Sequence, residues 1–325
     1  LKNNGRYAGK AIEHRHAVMR RVSSLVLVCA FVLNLVITAR AQETTFRSGV
    51  EAVSVTVSVR DNRNRVVRDL KQEDFQVIDS GFGKPIRDFW TGDAPISLAI
   101  LLDISGSMAV GGNMDRARQA VDIGLSNMRY GDEASLYTFD SRLEEVIPFT
   151  TELERVRSVN LAGTPFGMTS LYDAIAETAR SAAERANRHR AVLVITDGTD
   201  TGSKLTAPEV SGIASAIDVP VYLLTVVNPA DHPGGELEVI DDGRPSEFGT
   251  LADLARWTGG DLRVSSVPAH TVEGLRDLFT ELRHQYVITF EPGARPGWHP
   301  LEIRTRKKSH VVRARSGYMT GPGRV

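Results

Sequence analysis

Cysteine is almost absent. A single one, Cys29, occurs in 325 residues, which excludes a disulfide framework and leaves stability to a hydrophobic core. Histidines are few and scattered: His189, His232, His270, His284, His299 and His310 follow the first 41 residues with none of the spacings of a zinc site. No G-x-x-x-x-G-K string occurs, so a phosphate-cradling loop of that type is excluded. An excess of one charge is missing too, with 39 Lys and Arg against 40 Asp and Glu. The 42% apolar and 24% charged content is that of a globular protein and rules out wholesale disorder.

The neutral balance hides a split. Residues 1–41 hold Lys2, Arg6, Lys10, Arg15, Arg20, Arg21 and Arg40 against the lone acid Glu13, which leaves residues 42–325 with a net charge of −7. A body this acidic is a poor nucleic-acid binder, which needs a basic patch to displace counterions. The basic leader reads as a secretory signal peptide. Arg20-Arg21 precede an apolar run over residues 22–38, and Ala39-Arg40-Ala41 supplies the small residues of a cleavage site. Cleavage after Ala41 is the expectation, with Met19 as the true start. An uncleaved anchor is the rival, because the run approaches the ~18 residues of a membrane span. Val28 before Cys29 is too large for a lipoprotein signal.

Both ends of the exported chain read as β structure. Val53, Val55, Val57 and Val59 alternate with Ser54, Thr56, Ser58 and Arg60, the period of a half-buried strand. Short strands follow at 74–79 and 86–90, and the same pattern returns at 285–290, 301–305 and 311–315. Too few strands lie at either end for a stable sandwich. We expect 46–92 and 285–320 to complete one small β-sandwich-like domain; two unrelated edge ribbons are the alternative.

The middle, 94–284, alternates apolar runs with amphipathic stretches in βαβ fashion, predicting an α/β fold with a mostly parallel sheet and helices on both faces. Strands are expected at 97–102, 191–195, 219–227 and Leu262–Ser265, with a hairpin at 134–139 and 145–149. Helices are expected at 114–128, 170–187, Leu251–Thr258 and 272–284.

Chemistry concentrates in three strings. Leu101-Leu102-Asp103-Ile104-Ser105-Gly106-Ser107 ends an apolar strand in an acid and two hydroxyls. In open α/β sheets ligands bind at such strand ends, and these hard oxygens suit a small hard cation. An Asx/Ser turn capping the next helix uses the same residues, and the string alone does not choose. Val194-Ile195-Thr196-Asp197-Gly198 is a second buried strand ending in an acid, and parallel strands deliver Asp103 and Asp197 to one edge. Gly167-Met168-Thr169-Ser170-Leu171-Tyr172-Asp173 places hydroxyls at a helix start. An N-cap by Thr169 or Ser170, with Asp173 closing a capping box, is compatible with Thr169 facing a metal.

These residues together resemble the von Willebrand factor A superfamily, which includes integrin I domains, and its metal-ion-dependent adhesion site. The family pattern D-x-S-x-S, then T, then D-G is filled by Asp103, Ser105, Ser107, Thr169 and Asp197. Tyr130-Gly131-Asp132-Glu133 and Phe139-Asp140 are further shared features; Met168 departs from the pattern, since many relatives carry a second glycine there. The flanks, notably 66–81 and Arg313-Ala314-Arg315-Ser316-Gly317-Tyr318, are similar to VWFA-related domain proteins of Acidobacteria and similar bacteria. The resemblance implies that Ser105, Ser107 and Thr169 contact a divalent cation, with Asp103 and Asp197 acting directly or through water. It implies Mg²⁺, with Mn²⁺ or Ca²⁺ as substitutes, and a partner protein whose Glu or Asp completes the coordination.

Weaker candidates remain. The long loop 228–249 carries Glu236, Glu238, Asp241 and Asp242, suited to a second cation or simply solvated. Arg304, Arg306, Lys307, Lys308, Arg313 and Arg315 form a basic tail, either a solvated strand face or a contact for anionic envelope polymers. The sequence therefore reads as an exported, metal-dependent binding module and not an enzyme. The alternatives are an envelope scaffold with a vestigial site, and a Mg²⁺-dependent phosphoryl-transfer enzyme. The last is disfavoured because no base accompanies Asp103 and a serine stands where D-x-D phosphotransferases carry an aspartate.

Overall fold

A computed structural model describes residues 52–161, 163, 165–229 and 249–321. The leader and most of the 228–249 acidic loop lie outside them. The described residues all belong to one compact unit. In chain order come β1 (Val53–Arg60), β2 (Phe75–Asp79), β3 (Phe82–Lys84), β4 (Ile86–Thr91) and β5 (Ile96–Asp103). Then follow α1 (Asn113–Ser126), β6 (Glu133–Phe139), β7 (Leu143–Thr150), α2 (Leu153–Arg157), α3 (Leu171–Ala183) and β8 (His189–Thr196). Next are α4 (Ala207–Ala216), β9 (Val221–Val226), α5 (Leu251–Thr258), β10 (Leu262–Ser265) and α6 (Pro268–Arg283). The chain closes with β11 (Tyr286–Phe290), β12 (Gly297–Thr305), β13 (Val311–Ala314) and β14 (Gly317–Thr320).

The central sheet has the order β10-β9-β8-β5-β6-β7. Every pair is parallel except the hairpin β6–β7 at the edge. Strand β5 is buried along its whole length, as a strand covered on both faces must be. Its Leu98, Ile100 and Leu102 join Ala117, Val121 and Leu125 of α1 and Leu275, Leu278 and Phe279 of α6 in one core. Its Ala99 and Leu101 join Ile175 of α3, Val210 of α4 and Leu254 of α5 in the core on the opposite face.

Two antiparallel sheets flank this layer, with orders β13-β1-β11-β4 and β14-β12-β2-β3. They enclose a third core, in which Val55, Val57, Val59, Tyr286, Ile288 and Phe290 meet Phe75, Val77, Leu301, Ile303 and Tyr318. Strand β1 pairs with β11 and β13, so strands distant in sequence close one sheet.

Three expectations need correction. From Val55 onward strand β1 is buried on both faces: Thr56, Ser58 and Arg60 are 6%, 2% and 3% exposed. Their polar side chains face partners in the α/β layer. Ser58 Oγ and Arg60 Nε donate to Glu281 of α6 at 3.0 and 2.7 Å, and Thr56 Oγ1 donates to Asp218 at 2.9 Å. The basic tail is not a uniformly solvated face, and its two innermost arginines are withdrawn from any polyanion. Arg313 pairs with Asp261 at 2.9 Å and Glu281 at 3.1 Å, and the buried Arg315 donates to the Ser215 and Ala216 carbonyls that end α4. Helix α4 was not expected at all. Its run of Ala, Ser and Gly has little periodicity, but Pro208 in its first turn and the Thr206 N–H donating to Glu209 at 2.8 Å start it.

Candidate functional site

The carboxyl ends of β5, β6 and β8 form one edge of the central sheet. Leu102 pairs with Ile195 and Asp103 with Phe139, so Asp103 ends its strand beside Thr196 and one residue short of Asp197. Asp103 is fully buried. Its Oδ1 accepts the Ser105 N–H at 2.9 Å, and its Oδ2 accepts the Thr196 hydroxyl at 2.6 Å. The first of these bonds is the Asx turn that the residue types allowed. The chain then enters a single 3-10 turn, Gly106–Ala109, at whose start Ser105 makes no side-chain capping bond. The Ser105 hydroxyl is instead 3.2 Å from the Ser107 hydroxyl.

The loop before α3 is tied directly to this turn. Gly106 N–H donates to the Gly167 carbonyl at 3.1 Å, and Phe166 N–H donates to the Ile104 carbonyl at 3.1 Å. Gly167 takes φ +96°, a left-handed bend that a side chain would strain. Thr169 is buried at 2% exposure. Its N–H donates to Thr201 Oγ1 at 2.9 Å, and its carbonyl accepts the Thr201 and Gly202 N–H groups, both at 2.9 Å. The loop carrying Thr169 is thereby bonded both to the turn carrying Ser105 and Ser107 and to the loop that follows Asp197.

Local capping by Ser170 is not what the structure contains. Ser170 makes no capping bond, and Asp173 does not return to it. The free N–H groups of α3 are satisfied from the 200–203 loop: Leu171 N–H donates to Asp200 at 2.8 Å and Tyr172 N–H to the Ser203 hydroxyl at 2.9 Å. Asp173 accepts from Leu205 N–H at 2.9 Å. A carboxylate at a helix N-terminus also complements the helix dipole, so Asp200 and Ser203 hold α3 and the Asp197 loop together. Sequence reasoning missed Thr196, Asp200, Ser203 and Thr201. Thr196 had a signal, since parallel register sets it beside Asp103.

The electrostatics of this edge are unbalanced. Burial pushes the Asp103 carboxyl above its ordinary 3.8; bonds from Ser105 and Thr196 oppose this, and the nearby Asp197 charge adds to it. Among the described residues no Lys, Arg or His pairs with Asp103 or Asp197. Two carboxylates repelling one another without a basic partner, with the Ser105 and Ser107 hydroxyls on the adjoining turn and Thr169 on a loop bonded to that turn, are a donor set whose chemistry fits a hard divalent cation. Among the described residues no three His, Cys, Asp or Glu side chains gather as a metal-holding group, so a cation here would depend on the hydroxyls.

Residues 98–199, from β5 to the loop after Asp197, match the family model of the von Willebrand factor type A domain. Over those residues the chain is similar to that domain class, which suggests a protein-interaction module. No curated protein matches the sequence. Among solved structures the chain is similar to an aerotolerance-related membrane protein from Bacteroides fragilis, at 20% identity over 57% of this chain and 98% of that one, TM-score 0.44. It is also similar to a von Willebrand factor type A structure from Catenulispora acidiphila, at 11% identity over 84% and 75% of the two chains, TM-score 0.45. Among the described residues no helix is long and apolar enough to cross a membrane.

Proposed function

We propose that this is an exported binding module whose von Willebrand factor type A domain engages a partner protein through a divalent cation. Ser105, Ser107 and Thr169 would hold the ion, Mg²⁺ by preference with Mn²⁺ or Ca²⁺ as substitutes, and Asp103 and Asp197 would act directly or through water. Bound there, the cation supplies positive charge and an exchangeable position that a partner's Glu or Asp can fill. The protein's own part is orientation: Thr196 and the Ser105 N–H fix both oxygens of Asp103, and backbone bonds tie the loop of Thr169 to the turn of Ser105 and Ser107. Export rests on the leader sequence, with its Arg20-Arg21 pair, apolar run and Ala39-Arg40-Ala41.

One observation carries the reading: a fully buried carboxylate, Asp103, faces hydroxyls with no basic partner among the described residues. Burying such a charge is costly unless it is compensated. Adding Mg²⁺ or Mn²⁺ to EDTA-treated protein is expected to raise its melting temperature, and Asp103→Ala is expected to abolish the rise. A wild-type melting curve that stays put at millimolar metal favours the scaffold alternative instead.

A further inference from the structure

A cleft outside the oxygen cluster collects aromatic rings and unused hydrogen-bonding groups. Two of the chain's three tryptophans line it, Trp257 at the end of α5 and Trp298 on β12. Pro208, Ser211 and Gly212 of α4 and Ser316 before β14 complete a space of about 400 Å³, within the ~300–1,000 Å³ of small-molecule sites. Each ring is seated on a glycine. A Cβ at Gly249 would collide with the Trp257 ring, and one at Gly317 with the Trp298 ring. The walls are joined as well: the Trp257 carbonyl accepts the Ser215 hydroxyl at 3.0 Å and the Ser316 N–H at 2.7 Å. The cleft is therefore built into the fold.

Its polar groups lack partners. Ser211 is only 4% exposed, yet its hydroxyl opens onto the cleft and makes no hydrogen bond among the described residues. The Ser316 hydroxyl and both indole N–H groups likewise make none there. Buried polar groups normally find a partner within the fold, and an unused one costs free energy. Groups left over around a cleft are therefore available to a ligand. Among the described residues no charged side chain lines the space, so an ionic ligand would lose water and gain no counter-charge. A proline-rich segment offers carbonyls to the indoles but lacks N–H donors for the serine oxygens. A sugar ring supplies both. Its hydroxyls donate and accept, and its face of slightly positive C–H bonds meets the negative face of an indole. We propose that this cleft binds a neutral oligosaccharide, with a pyranose ring stacked on Trp298 and its hydroxyls bonded by Ser211 and Ser316. The site needs no metal and does not depend on the cation reading above.

An array of neutral and charged oligosaccharides, probed with the full chain in EDTA, tests this, with decaproline as a separate arm. At least one neutral oligosaccharide is expected to bind. In solution it should shift the tryptophan emission, and should do so equally in Trp90→Phe, which removes the one tryptophan outside the cleft. Trp298→Ala is expected to weaken binding about tenfold or more. Ser211→Ala breaks no side-chain bond within the fold, so it should keep the wild-type melting temperature while binding severalfold more weakly. No binding, binding only of charged oligosaccharides or of decaproline, or unchanged affinity in Ser211→Ala overturns the proposal. So does binding that EDTA abolishes and Mg²⁺ restores, because the ligand would then sit at the oxygen cluster.

Discussion

Thr196 on β8 donates its hydroxyl proton to Asp103 on β5 across a 2.6 Å hydrogen bond, joining residues 93 positions apart in sequence. The bond places the acid of one string under the control of the strand that carries the acid of another. It also leaves the Thr196 oxygen to accept the Gly198 N–H at 3.0 Å, so one hydroxyl orders both strand ends.

Removing that hydroxyl tests its weight. Thr196→Val leaves an oxygen of a buried carboxylate without its donor, a change that typically costs about 1–3 kcal/mol. Urea unfolding of the metal-free protein should show a loss of that size. Its Mg²⁺ response should also weaken, because Asp103 is no longer held in one orientation. A midpoint equal to wild type in both titrations would show that the bond orients nothing.

The trans cap of α3 gives a second expectation. Ser203→Ala and Asp200→Ala each remove an acceptor from the first turn of the helix, and losing a cap costs about 0.5–2 kcal/mol. Ser170→Ala should cost far less, since Ser170 makes no capping bond. Chemical denaturation of the three variants ranks them directly, and a larger loss at Ser170 would contradict the assignment.

Glu281 joins the two layers. It is 1% exposed and accepts from Ser58, Arg60, Tyr222 and Arg313 at 2.7–3.1 Å. Glu281→Leu leaves the buried Arg60 without its carboxylate and Arg313 with Asp261 alone, and breaking a buried ion pair from one side costs about 3–5 kcal/mol. Equilibrium unfolding should register a loss on that order, with Glu281→Gln milder because it keeps an acceptor.

His189 predicts a dependence on acid. Burial holds its ring below the ordinary 6.5; the Gly92 carbonyl and Gln285 oppose this only in part, and among the described residues neither ring nitrogen has a partner in hydrogen-bond geometry. The folded protein therefore binds fewer protons here than the unfolded chain does. By linkage, this contribution to stability is intact above pH 6.5 and falls as the pH drops below it. His189→Phe should flatten that part of the curve, since an uncharged ring still packs against Trp90, 5.3 Å away in the native protein. An equal slope in the variant would place the acid sensitivity elsewhere.

Much of the architecture is legible because its signals are local. The apolar run of β5 and its terminal Asp103, Ser105 and Ser107 occupy a dozen consecutive residues, and a strand buried on both faces announces itself in that way. The helix α3 began near its expected start, yet its cap was misassigned. The capping-box rule looks three residues ahead, whereas Asp200 and Ser203 arrive from about thirty positions downstream. Helix α4 escaped notice because small residues pack a helix without marking a stripe.

Composition and periodicity by themselves determined the alternation of strands and helices, the acids at the strand ends, and the class of atom gathered at the sheet edge. Only the tertiary structure decided that the polar half of β1 is interior, that Arg313 and Arg315 turn toward the α/β layer, and that Thr196 steadies Asp103. The reason is physical. Hydrophobic burial is non-directional and follows from spacing along the chain, whereas a hydrogen bond or ion pair needs a particular partner at a particular distance, which exists only once the chain has folded.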